Sequence, residues 1–278
     1  MAHEPGALLD LSVRSLDLYD DWIAAVRTES GIDVEYRRIG TLELPANRSV
    51  PEHGYVAAEP LTLALARAAD AAGADFVRDR VTRIHRESTR LRLLMTSGDA
   101  DATHVVLAAG AWTNSIEGIP TPPLRPVRGQ LLYLGWNAPP LSTIVWGPRC
   151  YVVPRLDGTV LVGATVEEAG FDERPTAAGV RELLDAACGL LPAACDATFL
   201  GVRVGLRPAT PDELPVIGPD PDVPGLLHAS GHYRNGVLLA PITAKLIADL
   251  AIDERSDPIL ASFSAARTFA LRPASEHP

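Results

Sequence analysis

Lysine is almost missing from this chain. Lys245 is the only one, so nearly all of the positive charge is arginine spread along the whole length, a pattern of genomic base composition. With a formal net charge of −10, the chain lacks the basic face that nucleic acid or an acidic membrane surface requires. Cysteine is scarce as well. Cys150, Cys188 and Cys195 are an odd set with no C-x-x-C pair, which points to buried thiols in a reducing cytoplasm, not to disulfides or a metal. The histidines are scattered, without H-E-x-x-H or comparable ligand spacing. No run approaches the roughly 18 apolar residues of a membrane-spanning helix. The start, with Glu4 and Asp10, lacks the basic region and apolar run of a secretory signal. Repeats and low-complexity tracts are absent too.

What remains is ordinary for a globular protein. Hydrophobic residues make up 47% and charged residues 22% of 278, enough chain for one large domain or two intermeshed ones. Leu8, Leu11, Leu16, Tyr19, Ile23 and Val26 recur at helical spacing, with Gly31 placed as a C-terminal cap. Val34 to Leu44 alternates as strands do, with a bend at Gly40-Thr41. A second helix is predicted from Pro60, as its first helical position, to Gly73. Short strands are predicted at Asp75–Val77, Val81–His85 and Leu91–Met95. The run from His104 to Trp112 reads as a fully buried parallel strand whose small residues allow close backbone approach, or as a plain core strand ending in a turn. Pro126 to Thr165 reads as a strand meander in which Asp157-Gly158 marks a hairpin. A helix from Thr176 to Leu191, strands at Phe199–Leu206 and Leu226–Ser230, and a helix from Asn235 to Ile252 follow. Pro241 predicts a kink in that last helix, or tight winding only beyond it. From Arg267 the chain reads as a disordered tail. Buried parallel strands beside an antiparallel meander favour an α/β domain interleaved with an antiparallel, substrate-facing sheet.

The chemistry-bearing residues concentrate in Gly205-Leu206-Arg207-Pro208-Ala209-Thr210-Pro211, Leu214-Pro215-Val216-Ile217-Gly218 and Gly231-His232-Tyr233-Arg234-Asn235-Gly236. Arginine offers a planar fork of donors that grips a carboxylate. A helix start offers unpaired N–H groups and a positive dipole end to an electron-rich ligand. Together they suggest a small-carboxylate site beside an anionic or electron-accepting cofactor. Plainer readings stand beside this one: Arg207 paired with Asp212 or Glu213, Tyr151 as an ordinary strand tyrosine, and Asn235 and Gly236 as a helix cap.

These blocks, with Gly31–Arg38, Gly40-Thr41-Leu42, Val105–Trp112, Pro126-Val127-Arg128-Gly129-Gln130, Tyr151–Pro154 and Val162-Gly163-Ala164-Thr165, occur in an order that closely resembles the glycine oxidase and D-amino-acid oxidase family of flavoproteins. The resemblance runs from about Leu8 to Phe263. It implies an FAD-binding Rossmann-like α/β domain, interleaved with an antiparallel-sheet substrate domain. The expected division is 1–55 and 120–203 for substrate, 56–119 and 204–264 for FAD, and 265–278 as tail. It implies oxidative deamination of glycine or a similar small amino acid: hydride to FAD, imine hydrolysis, and hydrogen peroxide from dioxygen. A link to thiazole synthesis for thiamine is implied as well. By matching position, Arg207 resembles the carboxylate clamp, Arg234 the second active-site arginine and Tyr151 the substrate-facing hydroxyl. Gly231, His232, Tyr233, Arg234, Asn235, Gly236, Val237 and Leu238 would lie against the flavin; Val81 would approach the adenine, and Ala109-Gly110 the diphosphate. His232 and His104 receive no acid–base role.

Three departures qualify the resemblance. Val166 replaces the methionine, and Arg149 the histidine, of close glycine oxidases, which leaves sarcosine or a D-amino acid open as substrate for an oxidase or dehydrogenase. The G-x-G-x-x-G turn that holds a dinucleotide diphosphate on backbone N–H groups occurs nowhere in the sequence. The expectation is an N-terminally shortened family member: a late start codon, a gene fragment or a split protein. A non-catalytic remnant, a homo-oligomer and a complementing N-terminal chain all stay open.

Overall fold

The structure, a computed structural model, describes residues 6–269. The chain forms two compact units. The first takes residues through Trp22, Asp75–Pro126 and the chain from Arg207; the second takes Ile23–Ala74 and Val127–Leu206. These bounds differ from the expected ones at two helices. Helix α1, Ala7–Ser30, gives its first sixteen residues to the first unit, because they carry the partners of a later helix there. Helix α2, Ala58–Ala71, joins the second, tied by Ala57 N–H to the Glu35 carbonyl (2.8 Å) and by an ion pair between Glu59 and Arg203. Pro60 is the third helical residue, not the first, and still costs nothing because first-turn N–H groups have no intrahelical partner.

In the first unit a three-stranded sheet lies at the centre. Val105–Leu107 runs parallel to Leu226–Ser230, which pairs antiparallel with Val216–Pro219. One face carries Leu227 and Ile217 against Leu11 of α1, against Leu239, Ile242 and Leu246 of helix α4 (Gly236–Asp253), and against Phe263. The other face carries Leu226, Val105 and Leu107 against Ile84 and Leu91 of the antiparallel strands Val81–Glu87 and Arg90–Met95. Val106 is 42% exposed, so the expected full burial of this strand holds on one face only. No strand forms at Asp75–Val77, where Phe76 and Val77 are both exposed. The strand at Val216–Pro219 lacked alternation and went unpredicted.

Helix α4 runs on through Pro241. Proline has no N–H, so the carbonyl four residues back, Val237, loses its helical donor. The Tyr19 hydroxyl of α1 supplies the bond to Val237, and one turn earlier Ser15 Oγ donates to the Leu238 carbonyl at 2.6 Å. Ser15 is wholly buried and Tyr19 nearly so, and they continue the buried stripe that starts at Leu11. The expected disordered tail is corrected at its start: Ala265–Phe269 form a short helix α5. In it Ala265 and Thr268 are buried, and Arg267 grips Asp212 at 2.6 Å. Residues 270–278 of that expectation lie outside the described residues.

The second unit holds, apart from Arg125, Pro126 and Arg207–Ala209, a seven-stranded sheet in the order Thr198–Ala209, Arg125–Gly135, Thr159–Gly163, Tyr151–Pro154, Ile144–Trp146, Thr41–Glu43, Arg48–Val50. The hairpin turns at Asp157-Gly158 as the sequence predicts, with Gly158 at φ +81° and Asp157 accepting from Thr159 N–H at 3.0 Å. Helix α3, Ala177–Leu190, is capped by Thr176, whose hydroxyl accepts from Gly179 N–H at 3.1 Å. Its Leu183, Ala186 and Ala187 close the core over Leu132, Val152, Val160 and Val162. Burial of all three thiols was expected, yet only Cys150 is buried; Cys188 is half-buried and Cys195 exposed.

Removing the Tyr19 hydroxyl leaves a carbonyl in α4 with neither a helical nor a side-chain donor. Tyr19→Phe is therefore expected to cost about 1–3 kcal/mol in urea unfolding. A variant as stable as the parent would show that water serves the Val237 carbonyl equally well.

Candidate functional site

In an open α/β sheet, ligands collect beyond the carboxyl ends of parallel strands. The parallel pair of the first unit ends at Leu107 and Ser230. Beyond Leu107 the chain reaches Ala109 and Gly110, where Gly110 (φ +57°) opens a 3₁₀ turn, Gly110–Ser115. Beyond Ser230 it reaches Gly231 (φ +72°). The two ends touch: Ser230 Oγ lies 3.4 Å from the Gly110 carbonyl and from Thr113 Oγ1. A Cβ at Gly231 would sit 3.0 Å from the Thr210 methyl, so only glycine fits this crossing comfortably. Val81 begins the neighbouring antiparallel meander of the same unit.

From Gly231 the chain turns into α4. His232 forms a bridge with Ala209, and Tyr233, at φ +48°, donates its N–H to the Pro208 carbonyl at 3.0 Å. The strand that carries Arg207 is thereby joined to the segment that carries Arg234, each arginine two residues from the bridge. Arg207 is half-buried, and Arg234 is exposed with no ion pair among the described residues. Of the two acidic residues that the plainer reading gives Arg207, Asp212 and Glu213, Asp212 is held by Arg267 at 2.6 Å. Asn235 N–H bonds the His232 carbonyl at 2.8 Å; Asn235 occupies the N-cap position of α4, as the plainer reading has it, but its side chain makes no cap bond. Gly236, Val237 and Leu238 therefore open α4 without a side-chain acceptor. That donor set fits an electron-rich ring edge such as flavin presents.

His232 packs inward, its Nε2 at 3.0 Å from Thr243 Oγ1. Burial lowers its pKa to about 4, so it is neutral at neutral pH and brings no proton or charge to this helix start.

Tyr151 belongs to the second unit. Its ring lies across Gly163, the residue opposite it in the ladder, where any Cβ would collide with it. Trp146 stacks against it at 5.5 Å and 49°. The glycine thus makes a slot for the aromatic ring on the adjacent strand, and the ring's direction is fixed from both sides.

The segment that follows Gly163 is pinned by a buried polar cluster to which sequence reasoning gave no role. Thr165 Oγ1 accepts from Gln130 N–H at 2.9 Å and donates to Glu167 Oε1 at 2.5 Å. Gln130 Nε2 reaches Glu167 at 2.8 Å and Thr176 at 2.9 Å, and Arg128 meets Glu167 at 2.6 Å and Asp172 at 3.2 Å. Burial would raise the Glu167 carboxyl, but hydrogen bonds from Thr165, Gln130 and Arg128 hold it below the usual range. The signal was present in the sequence: polar Arg128 and Gln130 sit inside an otherwise apolar strand, where they need buried partners.

Residues 48–250 match the family model described as FAD dependent oxidoreductase. The chain is 39% identical over 225 residues to the bifunctional protein ThiO/ThiG of a Nostoc species, covering 78% of this chain and 34% of that protein. It is 37% identical over 234 residues to the glycine oxidase of Geobacillus kaustophilus, covering 83% of this chain and 62% of that protein. The chain thus spans less than two thirds of these curated relatives. The crystal structure of glycine oxidase from Geobacillus kaustophilus superposes with a TM-score of 0.89 at 30% identity, over 95% of this chain and 84% of that one. An iminodiacetate oxidase from a Chelativorans species superposes with a TM-score of 0.86 at 25% identity, over 95% of this chain and 85% of that one.

Two outcomes follow from this geometry. The unfolded chain protonates His232 near pH 6.5, whereas the folded chain resists until about 4. Lowering the pH through that interval should therefore remove about 3 kcal/mol of stability, which levels off below it. His232→Gln should flatten that part of the urea-unfolding pH profile, and superimposable profiles would contradict the buried neutral state. Gly163→Ala should force the Tyr151 ring aside at a cost of about 1–3 kcal/mol, and an unchanged Tyr151 environment by NMR would refute the slot.

Proposed function

Since this chain belongs to the family of FAD-dependent oxidoreductases, we propose that it oxidises glycine or a similar small amino acid at the α-carbon. The observation that supports this reading is the bridge of Ala209 to His232, which ties the strand carrying Arg207 to the segment that carries Arg234 and leads into the start of α4. Bound FAD would accept the hydride and pass its electrons to dioxygen as hydrogen peroxide, leaving an imine that water hydrolyses.

The chain's own residues bind and orient. Arg207 grips the substrate carboxylate with two parallel hydrogen bonds, and Arg234 adds a second positive charge at the same helix start. Tyr151 offers its hydroxyl to the substrate. Residues 231–238 would hold the flavin, and the uncapped N–H groups at the start of α4 would favour the negative charge that collects on reduction. Neutral His232 leaves that task to the backbone donors. Val81 takes the adenine, and Ala109 and Gly110 approach the diphosphate. In this reading the first unit holds FAD and the sheet of the second faces substrate. The link to thiazole synthesis for thiamine, a cytoplasmic setting, and a homo-oligomer or complementing chain belong to the same reading.

Sarcosine and D-alanine are the competing substrates to set beside glycine, because Val166 and Arg149 depart from the glycine oxidase pattern. The FAD-loaded chain is to be compared with Arg207→Met by peroxide release on all three. A charged hydrogen bond is worth about 1.5–3 kcal/mol, so kcat/KM should fall roughly ten- to a hundredfold with flavin content unchanged. Equal efficiency in the two proteins would remove Arg207 from the clamp.

A further inference from the structure

The strand Thr159–Gly163 continues its pairing with Arg125–Gly135 beyond Gly163. The ladder sets Gly163 opposite Leu131, and a further antiparallel bridge sets Glu167 opposite Arg128. Three residues, Ala164, Thr165 and Val166, therefore face only two, Gly129 and Gln130, and the extra one makes a β-bulge. Thr165 N–H donates to the Gln130 carbonyl at 3.2 Å, and the N–H groups of Arg128 and Glu167 bond each other's carbonyls at 2.8 and 2.9 Å. Beyond the bulge the register is thus shifted by one, and a shift of one exchanges the two faces of a sheet. In an unbroken ladder Val166 would oppose Arg128, on the side that α3 covers along with Leu132, Val160 and Val162. The bulge gives that side to Thr165 and Glu167, where Gln130 joins them to Thr176, the cap of α3. Val166 is turned to the other side, that of Tyr151 and Gly163, where it is 51% exposed and stands opposite Gly129, which has no side chain.

We propose that Val166 seats a methyl group of the substrate, so that the chain takes a glycine methylated at nitrogen or at the α-carbon, and that Thr165, Gln130 and Glu167 are the positioning residues that hold Val166 there. The inference rests on the reading that Tyr151 offers its hydroxyl to the substrate. Along its strand Val166 is the next residue after Gly163 on the Tyr151 side of the sheet. A branched apolar side chain half in water gains by covering a methyl group, and free glycine has none to offer. The aim of Val166 is set by the Thr165 hydroxyl. It accepts the buried Gln130 N–H at 2.9 Å and donates to Glu167 at 2.5 Å. Glu167 in turn is held by Gln130 Nε2 at 2.8 Å and by Arg128 at 2.6 Å. If the bulge relaxed, the restored register would carry Thr165 and Glu167 to the face opposite Gln130 and Arg128, and those buried groups would lose their acceptors.

Kinetics and NMR test the two halves separately. With the FAD-loaded chain, kcat/KM is measured for glycine, sarcosine and D-alanine, and the preferred methylated substrate tells which atom carries the methyl group. One methyl group against an apolar wall is worth about tenfold or more, so Val166→Gly should lower the ratio of that substrate to glycine by roughly this factor. Thr165→Val removes the hydroxyl and keeps the shape. It should lower the ratio likewise in the parent but not further in the Val166→Gly background, and Thr165→Ser should keep the parent's ratio. In the flavin-free chain the Val166 methyl protons should show a nuclear Overhauser contact to the Gly129 α-protons, retained in Thr165→Ser and lost in Thr165→Val. A preference for glycine, a ratio unmoved by Val166→Gly, or a Thr165→Val effect that persists without the valine side chain would overturn the proposal. So would a Val166–Gly129 contact that is absent from the parent or survives in Thr165→Val. If none of the three substrates is oxidised, the oxidase reading itself fails, and the contact alone decides whether the cluster aims Val166.

Discussion

Pro241 removes one hydrogen-bond donor from α4, and the bond that replaces it organises much of the first unit. The donor comes from Tyr19, so α1 is held against the first turns of α4, with Ser15 fixing the same contact one residue along. On its other side the turn is held by the backbone of Pro208 and Ala209. The start of α4 has no side-chain cap, so its position must come from elsewhere. Here it comes from carbonyls inside the helix and from the loop that precedes it.

The same logic extends to the charges. In the proposed site two arginines serve one helix start, while burial keeps the adjacent histidine neutral. The positive charge of that reading comes from guanidinium groups and not from the imidazole. In the second unit, Arg128, Gln130 and Glu167 play the fixing role for the segment after Gly163. Removing Glu167 would leave Arg128 and Gln130, both buried, without the acceptor they share.

The sequence made regular elements and the family legible, because periodicity and local turn residues report them directly. The 24 residues of α1, the Asp157-Gly158 hairpin and the parallel Val105–Leu107 strand all appear close to where they were expected. What stayed hidden depends on long-range partners. Ser15 reads as a surface residue until Leu238, far along the chain, is placed beside it. Arg267 reads as part of a loose tail until it meets Asp212, and the apolar Phe76 and Val77 suggest a strand that has no neighbour to pair with. Cys195 reads as buried by residue type, yet the reversal at Pro192 carries it to the surface. For the candidate site, composition pointed to Arg207, Arg234 and the α4 start. The Ala209–His232 bridge that joins them is visible only in the fold.

The central claim is that one helix start serves both a flavin edge and a substrate carboxylate. The most direct measurement is the visible absorption spectrum of the purified chain after incubation with FAD and removal of the excess, followed by titration with acetate as an unreactive carboxylate. The account predicts a retained flavin band that shifts as acetate binds, and a shift that is lost in Arg207→Met. A chain that retains no flavin, or a flavin band indifferent to acetate, would contradict it.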